Sequence, residues 1–154
     1  MSGASTTEPC PRQVGDLSIV VVEDYVTLLD MMRTYLTPYF EDLHTFSSAR
    51  TAMAWLGLNK PDILLCDLHL RDGSGLDIIA YVKECKPDVA VIICSGDGCC
   101  SQVPPELHPV QYLYKPFAPQ ELRYIVYQAG ETLLAKQNEQ RSLPEGVLHD
   151  HSNE

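Results

Sequence analysis

The stretch Pro61-Asp62-Ile63-Leu64-Leu65-Cys66-Asp67, with the loop Leu68-His69-Leu70-Arg71-Asp72-Gly73-Ser74-Gly75 behind it, decides the reading of this chain. Ile63 to Cys66 are apolar without alternation, as a strand covered on both faces must be. A carboxylate closes the run, and a loop holding glycines follows. Leu76, Ile79 and Val82 then recur at helical spacing. A doubly covered strand followed at once by a helix is the unit from which parallel sheets are assembled.

The unit repeats in both directions along the chain. Upstream, residues 17–23 read as a short apolar strand ending in two acids. Leu28, Leu29, Met32 and Leu36 then mark a helix that Pro38 stops. Leu43–Phe46 reads as a second strand, and Ser47 or Ser48 as the N-cap of a helix carrying Ala52, Trp55 and Leu56 and ending near Gly57. Downstream, residues 89–95 and 110–114 read as the fourth and fifth strands. The last helix presents Leu122, Ile125, Val126, Ala129 and Leu133 on one face. Five strands alternating with helices predict an α/β fold with a mainly parallel sheet.

Composition narrows the function classes. The 154 residues are 45% hydrophobic and 21% charged, which suits one ordinary globular domain. Eleven Lys and Arg against 21 Asp and Glu leave a net charge of −10, which opposes binding to DNA or anionic lipid by this chain alone. The apolar runs are far shorter than the roughly 18 residues of a membrane span, and the first 16 residues lack the apolar stretch of a signal peptide. A cytoplasmic protein is expected. The six cysteines do not form a disulfide-like pattern: Cys66 and Cys94 lie within strands, and Cys99 and Cys100 are adjacent. Free thiols are the expectation, and the Cys94, Cys99, Cys100 spacing matches no common zinc pattern.

In parallel α/β sheets, ligands bind beyond the C-terminal ends of the strands. Those ends carry Glu23 and Asp24, Asp67, Ser95 and Lys115. Singly, each has a plain alternative as a helix cap, a turn former or a solvated lysine. Together, three acids, a hydroxyl and a lysine fall on one edge. Three carboxylates call for a cation, and oxygen-only ligands select Mg²⁺ or Mn²⁺. Asp67 could then act as a nucleophile toward phosphorus, with Lys115 and Ser95 facing the phosphoryl oxygens. No glycine-rich nucleotide loop is present, so a nucleotide is not the expected ligand.

With these residues in place, the sequence resembles the receiver domains of bacterial two-component response regulators. The resemblance spans residues 17–134. It rests on Glu23-Asp24, the segment from Pro61 to Asp67, the loop from Asp67 to Gly75, the pair Ser95-Gly96, and Tyr112-Leu113-Tyr114-Lys115-Pro116-Phe117. It implies a doubly wound (βα)5 fold with a parallel five-stranded sheet of order 2-1-3-4-5. It also implies transfer of a phosphoryl group to Asp67 from a histidine kinase or a histidine phosphotransfer protein. Asp24 and Asp67 would ligate Mg²⁺ directly, Glu23 through water, and His69 through its backbone carbonyl. Ser95 and Lys115 would engage the phosphoryl group, and Tyr112 would be an aromatic switch. His69 and Asp97 would flank the path of the hydrolytic water. The output would pass to a downstream protein or a fused output domain, and a homodimer is compatible with the family.

The chain departs from the family at three places: Arg71 replaces a customary proline, Gly96 replaces a customary alanine, and residues 96–109 contain Pro104, Pro105 and Pro109 where a fourth helix is usual. Adjacent prolines can begin a helix but cannot lie inside one, so a short or irregular helix of at most one or two turns is expected there. The output surface would be altered accordingly. At the ends, a disordered arm is expected over residues 1–16, a receiver domain over 17–137, and a polar tail or the start of a linker over 138–154. His149 and His151 in that tail read as solvated side chains. Two other readings stay open: an Mg²⁺-dependent aspartyl-nucleophile phosphatase, which would want an acid where His69 stands, and a receiver-like interaction module that is never phosphorylated.

Overall fold

The computed structural model describes residues 11–96, 102–109 and 111–142. Five strands form a parallel sheet: β1 (Ile19–Val22), β2 (Leu43–Phe46), β3 (Ile63–Asp67), β4 (Ala90–Ser95) and β5 (Gln111–Tyr114). Their order across the sheet is β2-β1-β3-β4-β5, as the resemblance implies. The helices are α1 (Val26–Leu36), α2 (Ala49–Leu58), α3 (Gly75–Cys85) and α4 (Pro119–Ser142).

Side-chain alternation along the central strands feeds two cores. Ile19, Val21, Leu65 and Ile92 face one side, with Leu29, Met32 and Leu36 of α1 and Leu122, Val126 and Ala129 of α4. Val20, Val22, Leu64 and Ile93 face the other, with Ala52 and Leu56 of α2 and Ile78, Ile79 and Val82 of α3. This is why β1 and β3 read as unbroken apolar runs: every position is covered, whichever way it points. The register pairs Val22 with Cys66 and Asp67 with Cys94, so the strands end nearly level and their following residues share one edge.

Four local features differ from or refine the sequence reading. Between β3 and α3 the expected loop contains a short antiparallel hairpin, His69–Leu70 against Gly73–Ser74. Residues 12–16, expected to belong to a disordered arm, instead include the 3-10 turn Val14–Asp16 with Val14 buried. Gly130 of α4 faces that turn: a Cβ there would lie 2.9 Å from Val14 Cγ1 and 3.0 Å from Leu17 Cδ1, so a larger residue would have to displace those side-chain ends. Arg12 also pairs with Asp62 at 2.6 Å, and Asp62 accepts from the Ser18 N–H at 2.8 Å. Residues 1–10 lie outside the described residues.

The proline-rich segment agrees with expectation where it is described. Residues 102–109 contain the 3-10 turn Pro105–Leu107 and no α-helix, with Pro104 as its N-cap. Val103 is buried, and Leu107 packs on the α2–α3 side of the sheet. The Lys83 ammonium donates to the His108 carbonyl and ties the segment to α3. Finally, α4 runs to Ser142, beyond the domain boundary expected at residue 137. No helix among the described residues is long and apolar enough to cross a membrane.

The start of α2 is capped twice. Ser48 Oγ accepts from the Thr51 N–H at 3.2 Å. Asp72, from the hairpin turn, accepts from the N–H groups of Ala49 and Arg50 at 2.8 and 3.0 Å. Those two backbone donors hold the Asp72 carboxyl below the usual carboxylate range. A depressed pKa means that the stabilisation is complete above the unfolded-state value, about 3.9, and fades as pH falls through the folded-state value. Asp72→Ala is therefore expected to melt below the wild type at neutral pH, with the gap narrowing below about pH 4. Thermal unfolding at pH 7 and pH 3 checks this; a gap independent of pH would show that the carboxylate charge does not contribute.

Candidate functional site

The expected site residues come from four strand ends, and the register brings them together. Glu23 and Asp24 follow β1, Asp67 closes β3, Ser95 closes β4, and Lys115 follows β5. Lys115 Nζ donates to Glu23 Oε1 at 2.6 Å and to Asp67 Oδ2 at 2.9 Å. Glu23, Asp67 and Ser95 are buried, at 1%, 6% and 1% exposure. Glu23 Oε2 accepts from the Tyr25 N–H at 3.0 Å, and Asp67 Oδ1 from the His69 N–H at 3.2 Å. Asp24 Oδ2 accepts from the Arg71 N–H at 2.6 Å. Ser95 Oγ donates to the Gly96 carbonyl at 3.0 Å. The Lys115 N–H donates to the Ser95 carbonyl at 2.8 Å, which fixes the lysine backbone against the end of β4.

Burial raises the Glu23 pKa, and the Lys115 hydrogen bond only partly offsets it. For Lys115, burial works against the charge, but the hydrogen bonds to Glu23 and Asp67 outweigh it and raise the pKa. The ammonium is thus locked in its charged form between two carboxylates. The buried thiols beside the site are inert: burial, followed by the Asp67 charge, pushes Cys66 up, and burial pushes Cys94 up to about 12. Cys66, Cys85 and Cys94 are free thiols, as expected. Cys99 and Cys100 lie outside the described residues.

One carboxylate oxygen from each of Glu23, Asp24 and Asp67 lies within 4.8 Å of the others. Three negative charges against the single ammonium leave an excess that a divalent cation would neutralise. The all-oxygen donor set fits Mg²⁺ or Mn²⁺ and excludes the softer metals that prefer sulfur or nitrogen. His69 is exposed at the same edge. Tyr112 of β5 is half-buried and stacks on Tyr114, with ring centroids 5.9 Å apart and planes 14° apart. Asp97, expected to flank the water path, lies outside the described residues.

Three positioning roles escaped the sequence reading. Gly75 opens α3 directly against the end of β3: a Cβ would come within 1.9 Å of the Asp67 carbonyl oxygen. Its N–H donates to the Leu68 carbonyl at 2.9 Å, so α3 and the Asp67 backbone are seated together. The signal was a glycine at a first helical position, where propensity disfavours it and close approach is the usual reason. Asp72, which ties the same loop to α2, and Arg71, which reaches Asp24, act across the loops in ways that spacing does not reveal.

The model of the response regulator receiver domain family matches residues 19–127. The chain belongs to that family. It is 34% identical over 111 residues to the regulatory protein LuxO of Vibrio cholerae, covering 71% of this chain and 24% of that protein. It is 26% identical over 114 residues to the DNA-binding transcriptional regulator NtrC of Azospirillum brasilense, covering 73% and 24%. Among solved structures, the signal receiver domain of a putative Luxo repressor protein from Vibrio parahaemolyticus superposes with a TM-score of 0.69 at 20% identity, covering 84% of this chain and 99% of that one. The receiver domain of NtrX from Brucella abortus gives 0.67 at 24% identity, covering 75% and 99%. The receiver thus spans about a quarter of the length of these curated relatives.

The ion-pair geometry of this receiver has a direct consequence for stability. Replacing Lys115 by Met leaves Glu23 and Asp67 facing each other with no cation between them. In EDTA, Lys115→Met is expected to lose roughly 2–3 kcal/mol by urea unfolding, less than the about 3–5 kcal/mol of a fully buried pair because the lysine side chain is 24% exposed. The loss should shrink toward pH 4 as a carboxyl takes up a proton, and Glu23→Gln in the same chain should recover part of it. A loss unaffected by either change would mean that the lysine stabilises by packing rather than by charge.

Proposed function

We propose that Asp67 accepts a phosphoryl group from a phosphohistidine on a histidine kinase or histidine phosphotransfer protein, with a divalent cation bound beside it. The observation that carries this reading is the placement of Asp67: a buried carboxylate at the end of the central strand, 2.9 Å from Lys115 and grouped with two further acids. An Asp67 oxygen attacks phosphorus as the phosphorus–nitrogen bond to histidine breaks, and the electron pair of that bond stays on the imidazole. Asp24 and Asp67 would hold Mg²⁺ directly, Glu23 through water and His69 through its carbonyl; Mn²⁺ suits the same set. When bound, the cation supplies positive charge to the phosphoryl oxygens. Lys115 adds a second positive charge from the end of β5 at the same edge. The Ser95 hydroxyl, which donates to the Gly96 carbonyl, would turn to donate to a phosphoryl oxygen.

Once Ser95 turns, Tyr112 on the neighbouring strand follows and alters the β5 surface. That surface is read by a downstream protein or a fused output domain, as the length of the relatives supports, or by a second receiver in a homodimer. His69 and Asp97 set how readily water reaches the acyl phosphate. The acidic balance supports a cytoplasmic signalling role without direct contact to nucleic acid or membrane.

Incubation with acetyl phosphate and Mg²⁺, followed by intact mass measurement, tests the reading. One hydroxylamine-labile phosphoryl adduct is expected on the wild type and none on Asp67→Asn. Asp24→Ala should reduce labelling strongly and Glu23→Gln less, since a direct ligand loses more than a water-mediated one. Turnover of phosphate esters would instead indicate a phosphatase, and an unmodified wild type a receiver used only for binding.

A further inference from the structure

Arg71 stands at the mouth of the site, and the transfer chemistry does not use it. Its N–H donates to Asp24 Oδ2 at 2.6 Å, and its guanidinium Nε lies 3.9 Å from the same oxygen. Asp24 is the most accessible of the three clustered acids: its side chain is 16% exposed, against 2% for Glu23 and 9% for Asp67. A cation arriving from solvent therefore meets Asp24 first, and finds that carboxylate already holding a donor beside a full positive charge. Arg50 and Asp72 line the same cleft. Asp72 is committed to the backbone of α2, so it does not cancel the Arg71 charge at Asp24.

We propose that Arg71 is a positioning residue that lowers the affinity of the acidic site for divalent cations. The inference rests on the reading of that site as a cation-dependent phosphoacceptor. In the metal-free protein Arg71 offsets part of the acid charge and holds one Asp24 oxygen. When a dication enters, the same guanidinium becomes a like charge a few ångströms away, and the N–H competes for an oxygen that the metal draws on. The guanidinium side chain is 82% exposed, so it can swing outward and its effect is screened rather than absolute. Arg71 thus sets the cation concentration at which the site fills without blocking it.

The two contributions separate by substitution. Any residue except proline keeps the N–H, and only lysine keeps the charge. The full chain is titrated with Mn²⁺, following loss of the free-ion signal by electron paramagnetic resonance, and melted in EDTA and in Mg²⁺. At low salt, Arg71→Ala is expected to bind Mn²⁺ about three- to tenfold more tightly than the wild type, the gap narrowing in 0.5 M NaCl, where the screening length falls to about 4 Å. Arg71→Pro should bind at least as tightly as Arg71→Ala, and Arg71→Lys should stay close to the wild type. Arg71→Ala should also gain more thermal stability from Mg²⁺ than the wild type does. Asp24→Asn serves as the control that removes binding. If the wild type binds and Arg71→Ala binds equally or more weakly, the role of Arg71 is overturned while the site stands. If the wild type binds no Mn²⁺, or Asp24→Asn binds as well as it does, both readings fall. Should Arg71→Pro lose its folded circular dichroism, Arg71→Ala decides alone.

Discussion

One ammonium group between two buried carboxylates holds this receiver's functional edge together. Buried acids repel one another and resist desolvation, so Glu23 and Asp67 can share a dry edge only with a cation between them. Lys115 supplies it at 2.6 and 2.9 Å. Its backbone is placed by the N–H bond to the Ser95 carbonyl, which in turn requires β5 to lie beside β4. Sheet order and charge balance are therefore a single constraint: moving β5 elsewhere would strand the acids. The same economy explains why Gly75 is needed, since α3 can begin against the Asp67 carbonyl only without a side chain.

Much of this was legible in the chain. β2 and β3 were read at their observed bounds, because β3 is an unbroken apolar run between Pro61-Asp62 and an acid, and Leu43–Phe46 lies between two polar stretches. The edge residues followed from where those runs stop, since a parallel sheet collects its C-terminal ends on one side. The adjacent prolines correctly argued against a long helix in the described part of residues 96–109. What escaped the reading depends on contacts between distant segments. The hairpin after β3 has only two residues per strand, too few for alternation to show. Val14 is apolar but isolated, and it is buried beside Gly130, more than a hundred residues later. The caps of α2 illustrate the contrast: the local cap is Ser48, one of the two serines expected there, whereas Asp72 reaches back 23 residues and has no local signal.

The loop after β3 emerges as a joint rather than a spacer. Asp67, Arg71, Asp72 and Gly75 lie within nine residues, yet they engage β1, α2 and the start of α3 separately. The loop that begins at Asp67 is thus tied to elements on both sides of it. Rigid attachment of this kind lets a small chemical change act on packed structure rather than dissipate in a loose strand end.

The long α4 helix carries a mechanical consequence. Its contacts with core side chains run to Leu133 and Leu134, and from Lys136 to Ser142 the sequence is polar. A helix of this length is a rod of about 36 Å, so each degree of tilt at its packed base carries its far end by about 0.6 Å. The first two-thirds of the helix, packed on the sheet, sets the direction of the rod, and the last third extends it. Leverage, rather than reshaping of the core, is what this geometry provides: sub-ångström adjustments beneath Leu122 and Val126 become displacements at the far end of the rod.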